Sequence, residues 1–176
     1  MIDTRNYSAP DTLKDGTPVT VRAIRAGDRE AIAAAFAELD RDSIYTRFFT
    51  YKKQLTEAEL RQLTDVDFEH VTALVVVENG DDGEKLLGGG RYCSEQPLNS
   101  ARGAELAFVT AEAHHGRGVA GVILKHLVQI ARGQSLAHLD AVVLAHNRAM
   151  LAVFQRSELP MDSKLAAGVL RVRLHI

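Results

Sequence analysis

Apolar and polar positions along this chain fall into short, clearly bounded periods. TPVTVRAIR alternates Val19, Val21 and Ala23 with Thr20 and Arg22 and predicts a strand. Gly27 breaks it, and Asp28 is placed to cap a helix through REAIAAAFAEL. Ser43 predicts the start of a short helix holding Ile44, Tyr45, Phe48 and Phe49. Thr56 and Glu59 spell a capping box, in which each side chain satisfies an orphan amide at a helix start, so a helix should run to Leu63. VTALVVVE is uniformly apolar and predicts a buried strand. NGDDGEK predicts the hairpin turn after it, because Asn79, Gly80 and Gly83 tolerate positive φ, and LLGGGRYCSE is the returning strand. The loop QPLNSARG leads to a strand, AELAFVT. A glycine-rich loop, an amphipathic helix VILKHLVQIAR, a strand HLDAVVLA and a helix from Asn147 to Glu158 follow. GVLRVRLHI closes the chain, setting Leu170, Val172, Leu174 and Ile176 against Arg171, Arg173 and His175, which predicts a strand with one wet face. The order of elements is that of an α/β fold on a mixed sheet.

Composition adds limits. At 176 residues with 46% hydrophobic positions, the chain is long enough for one domain with a full core, and one domain is expected over residues 1–176. A formal net charge of -2 supplies no general attraction to nucleic acid or to an anionic membrane, and neither is an expected partner. No apolar run approaches the length of about 18 residues that a span needs, and the N-terminus lacks the basic-then-apolar order of a secretory signal. A single cysteine, Cys93, fits a reducing compartment, so the cytoplasm is the expected location. With no partner histidine at readable spacing, it is expected to be a small core residue and not a nucleophile. The histidines show neither HExxH nor zinc spacing, and no metal is expected.

The candidate chemistry lies in EAHHGRGVAG, residues 112–121, where a strand turns into a helix. A helix start exposes unpaired amides and roughly half a positive charge, and glycines let an anion approach them, so a phosphate seat is expected. Gly116, Gly118 and Gly121 spell GxGxxG, the dinucleotide fingerprint. That reading expects an acidic residue ending the next strand about 20 residues on, whereas Asp140 begins its strand, and little βα structure follows. A plain glycine turn is the other alternative, although one glycine suffices for a turn.

AFVTAEAHHGRGVAG, its amphipathic helix, VVLA and HNRAMLAVF in that order resemble the acetyl-CoA-binding half of the GNAT acyltransferase superfamily. SIYTRFF, LTEAELRQLTDVDF and the hairpin extend the resemblance to the acetyltransferase domain of bacterial Pat-type protein lysine acetyltransferases, from Thr17 to the C-terminus. The resemblance implies a mostly antiparallel, twisted mixed sheet with splayed central strands, flanked by helices. It implies that Phe108, Val109 and Thr110 offer backbone groups to the pantetheine arm. The amides of His115, Gly116, Arg117, Gly118, Val119 and Ala120 would wrap the pyrophosphate, Gly121 would allow close helix packing, and Asn147 would sit beside the pantetheine or serve simply as a helix cap. His115 stands where the family has Gln or Arg, Phe154 near where many members keep a tyrosine acid, and ELPM where L/S-G-F is common.

Attack by an amine of pKa about 10.4 on a thioester needs a base. Glu105, which alternates with Leu106 and Phe108 on its strand, matches the proposed general base of Pat-type enzymes; an edge-exposed or salt-bridged glutamate is the other reading. Tyr45 and Arg47 match positions bordering the acceptor, although packing on an amphipathic helix is the better account of Tyr45, and a structural ion pair accounts equally for Arg47. The implied activity is acetyl-CoA-dependent N-acetylation of an acceptor amine by direct attack in a ternary complex. A protein lysine, such as one on an acyl-CoA synthetase, is the favoured acceptor. Small-molecule amine acetylation and acyl-CoA sensing without catalysis are the alternatives, and a homodimer is compatible with each.

Overall fold

Val19 and Val21 are buried while Thr20 is half-exposed, and this alternation forms β2 (Pro18–Ala23) in the computed structural model of the chain, which describes residues 2–37, 55–110 and 116–176. β1 (Ser8–Thr12) pairs antiparallel with one side of β2 and β3 (Val71–Gly80) with the other. Asp28 does not cap the following helix as expected. It ends a short 3-10 turn (Ala26–Asp28), is buried, accepts the Arg25 backbone N–H at 2.9 Å and pairs with Arg22 at 2.8 Å. α1 (Arg29–Ala37) begins after it, and α2 (Glu57–Thr64) follows with Thr56 as its N-cap, the Glu59 N–H donating to Thr56 Oγ1 at 3.2 Å. Tyr45, Arg47 and the short helix expected after Ser43 fall outside the described residues.

β3 and β4 (Gly83–Cys93) form the expected hairpin, with Gly80 opposite Gly83. Gly83 alone of the expected turn residues takes positive φ, at 101°. β5 (Gly103–Thr110), α3 (Val119–Gly133), β6 (His138–Leu144), α4 (Arg148–Arg156), β7 (Met161–Ala166) and β8 (Val169–His175) complete the order. The sheet runs β1-β2-β3-β4-β5-β6-β8-β7, and every pairing is antiparallel except that of β5 with β6. β1 and β7, both edge strands, were not expected from the pattern.

Residues Ile123, Leu124, Leu127, Val128 and Ile130 of α3 are buried, each contributing about 1.5–3 kcal/mol of burial when complete. They lie on one face of the sheet, and Gly90 is the close point: a Cβ there would come within 2.6 Å of Ile123 and 2.8 Å of Phe108. On the opposite face Ile32, Phe36 and Leu63 of α1 and α2 close an apolar cavity of about 100 Å³ with Ala73, Val75 and Ala107. The sheet beyond β5 carries no described helix on that second face. Among the described residues no helix is long and apolar enough to cross a membrane, and no group of three or more His, Cys, Asp or Glu is placed to hold a metal ion.

Candidate active site

Where β5 and β6 separate, the sheet opens. They are paired from Gly103 opposite His138 to Leu106 opposite Ala141 and no further. β5 continues to Thr110 against Gly88 of β4, and β6 continues to Leu144 against Val169 of β8. Residues 107–110 and 142–144 therefore flank a gap. Because alternate residues turn their amides and carbonyls to opposite sides of a strand, part of the β5 backbone along 107–110 points into that gap with no strand partner. Phe108, Val109 and Thr110 lie on this stretch, and the buried Phe108 ring meets Phe154 of α4 edge-on at 6.0 Å. A cleft of about 610 Å³ runs along the separation, bordered by Glu105, Phe108, Val142, Met150 and Phe154 among others.

At the far end of the gap the chain enters α3. Gly118 is its N-cap with φ 86°, and Gly116 has φ 80°. Such values favour glycine, and a Cβ at Gly116 would meet nothing within 4 Å, so the backbone there is open to a ligand. The first helical bond runs from the Val122 N–H to the Gly118 carbonyl, which leaves the amides of Val119, Ala120 and Gly121 without helical acceptors. His115 falls outside the described residues. Gly121 is exposed and a Cβ there would also meet nothing within 4 Å, so the expected close helix packing does not account for it.

Arg117 is held from another part of the chain. Its Nε donates to Asp15 Oδ2 at 3.0 Å, its guanidinium also reaches Thr17 Oγ1 at 3.1 Å, and its carbonyl accepts the Lys14 N–H at 3.1 Å. These partners form the turn between β1 and β2, and the Lys14 stem crosses the Gly118 backbone, 2.9 Å from where a Cβ would stand. Hydrogen bonds from Thr17 and the Arg117 guanidinium hold the Asp15 carboxyl at about 2. The sequence pattern showed Arg117 but none of its partners, for which periodicity holds no signal.

Glu105 is exposed, so the cost of burying a carboxylate in a central strand does not arise. It stands on the face opposite Leu106, in a row across the sheet: Cys93, Glu105, Asp140, Arg173 and Asp162 are successive register partners. Asp140 is bidentate with Arg173, at 2.7 and 2.9 Å, whereas Glu105 has no hydrogen bond or ion pair among the described residues. Cys93 is half-buried and borders the cleft, so it is not the core residue expected. Asn147 is the N-cap of α4, its Oδ1 accepting the Met150 N–H at 3.1 Å. Phe154 is buried and offers no hydroxyl, and no described tyrosine borders the cleft.

Residues 35–158 match the acetyltransferase (GNAT) family. Acetyltransferase PA5475 of Pseudomonas aeruginosa is 30% identical over 142 residues, 80% of this chain and 74% of that protein. Acetyltransferase Pat of Mycolicibacterium smegmatis is 27% identical over 147 residues, covering 84% of this chain but 43% of Pat. The crystal structure of the GNAT domain of S. lividans PAT superposes with a TM-score of 0.85 at 28% identity, over 96% of this chain and 97% of that one. The chain belongs to the GNAT acetyltransferase family, and its activity is N-acetylation. Within that family it is similar in fold and length to the PAT domain, and acetyl-CoA is the acetyl donor the family uses. Catalysis by the family sets aside the sensor alternative, and the mostly antiparallel sheet sets aside the dinucleotide one.

Proposed function

We propose that this chain transfers the acetyl group of acetyl-CoA to the side-chain amine of a protein lysine by direct attack in a ternary complex. The observation that carries the reading is the separation of β5 from β6, which opens a cleft bordered by Glu105 and Phe108. The residues fit coenzyme A: open backbone at Gly116, free amides at the start of α3 and an unpaired strand backbone suit a diphosphate followed by an amide-bearing arm. In this reading residues 115–120 hold the diphosphate, with Gly121 completing the first turn. Phe108, Val109 and Thr110 hold the pantetheine arm and the thioester carbonyl, and Asn147 borders the arm.

Glu105 removes a proton from the acceptor ammonium, directly or through water. The freed lone pair forms the new N–C bond as the thioester C–S bond breaks; the nitrogen then sheds its second proton to solvent, and the leaving thiolate takes one up from solvent, since Phe154 supplies none. A positioned base of this kind contributes about 10²–10⁴-fold. The Pat-type resemblance supports a protein acceptor, with Tyr45 and Arg47 bordering it. The test offers labelled acetyl-CoA with a panel of acetylatable proteins and free amines. Label on lysine side chains of proteins is the expected result, and label confined to free amines would overturn the protein acceptor.

A further inference from the structure

The face of the sheet around Glu105 carries more cations than it has partners for. Arg173 is committed to Asp140, and His175 Nε2 lies 2.7 Å from Asp162. Arg91, Lys164 and Arg171 border the same cleft, and none has an acidic partner within ion-pair distance among the described residues. Lys164 of β7 and Arg171 of β8 are direct register partners and both are exposed, a like-charge pairing that costs stability. A lysine on an edge strand guards against sheet-to-sheet pairing, which accounts for Lys164. It does not account for Arg171, on a strand flanked by β6 and β7, or for Arg91, on β4 next to β5. Arg91 lies opposite Ala107 on one side of the separation, and Arg171 lies opposite Val142 on the other. Among the described residues, the only carboxylate bordering this cleft without a partner is therefore Glu105, set between cations on both sides.

An acceptor amine arrives protonated, and three uncommitted cations would repel it. We propose that the acceptor carries a carboxylate beside its reactive amine, which Arg171 and Lys164, with Arg91 across the cleft, receive while the amine reaches Glu105. The inference rests on the reading of this cleft as the acceptor site. It selects against polyamines and against lysines set among basic residues. Two sources present the same chemistry: an acidic side chain neighbouring a protein lysine, or the carboxylate of a free amino acid.

The experiment measures kcat/KM for the whole chain at saturating acetyl-CoA on two series. One is a set of peptides with a single lysine flanked by Glu, Gln or Arg; the other compares free lysine with its amide and with a diamine of similar length. A preference of tenfold or more for the carboxylate-bearing member of either series is expected, shrinking as salt is raised. In the double variant Arg171→Glu and Lys164→Glu, both at exposed positions, that preference should be lost or reversed while the Kd for acetyl-CoA stays unchanged. Equal or better turnover of the neutral or basic members, or a preference untouched by the double variant, would overturn the inference alone. A preference seen only with free lysine would support it while overturning the protein acceptor. Binding of acetyl-CoA with no turnover of any acceptor would overturn both this inference and the acceptor reading of the cleft.

Discussion

One strand, β5, is built two ways along its length. At residues 105 and 106 it is paired on both sides, to β4 and to β6, and it holds Glu105 in a register shared with Cys93 and Asp140. Over residues 107–110 it keeps β4 and loses β6, so its backbone groups on one side face a cleft. An unpaired backbone group away from water is costly, and this half of the strand suits an extended, amide-bearing partner. The paired half gives a fixed side chain and the unpaired half gives free backbone, which suits the division of labour proposed above between a base and a thioester arm.

The sharpest way to break this division is at the paired end. Glu105→Gln keeps the shape and removes the proposed base, so kcat should fall by about 10²–10⁴-fold with the Kd for acetyl-CoA unchanged. Undiminished turnover would remove Glu105 from the chemistry. At the other end, Gly118→Val forces a branched residue to φ 86° and into the Lys14 stem. The expected result is a Kd for acetyl-CoA raised roughly tenfold in a folded protein, since such strain is of order 1–3 kcal/mol. A calorimetric titration that finds the same Kd would count against the diphosphate seat. A smaller change follows from Asp15→Asn, which removes the carboxylate partner of Arg117 without changing a residue of the loop. Exposed pairs are weak, so a rise in Kd of about two- to fivefold is expected, with kcat at saturation unaffected.

The two halves of β5 were not equally legible in the sequence. Interior strands announced themselves because burial on one or both faces imposes a pattern, as in VTALVVVE and GVLRVRLHI. The edges did not: β1 is SAPDT and β7 is MDSKLA, each with one neighbour and little burial. Pro10 is tolerated because an edge strand has an unpaired side. The glycine loop was readable because positive φ at Gly116 and Gly118 restricts residue type. The point where β5 leaves β6 was not, since Leu106 and Ala107 are ordinary strand residues, and only the family resemblance led to the splay. Arg117 shows the same limit: its partner Asp15 lies 102 positions away, and local periodicity cannot reach that far.

The smallest expected effect concerns the brace behind the unpaired end. Asp11 of β1 accepts hydrogen bonds from two residues of α3, Lys125 at 2.5 Å and His126 at 2.7 Å, and His126 Nδ1 lies 2.6 Å from the Tyr7 hydroxyl. Burial works to raise its carboxyl, but the bonds from Lys125, the Thr12 amide and His126 outweigh this and hold it at about 2, below the ordinary 3.8. A depressed value means that the fold favours the ionised form. Its contribution is therefore complete above pH 3.8 and is lost as pH falls from there through about 2. Urea midpoints of the wild type and Asp11→Asn at pH 5 and pH 3 isolate the effect from other carboxylates. The variant should be the less stable at pH 5 and should lose less on acidification. Since the β1–β2 turn also carries Asp15, the same acid step should weaken acetyl-CoA binding more in the wild type than in Asp11→Asn. Identical pH dependence in the two proteins would show that this edge does not brace the loop.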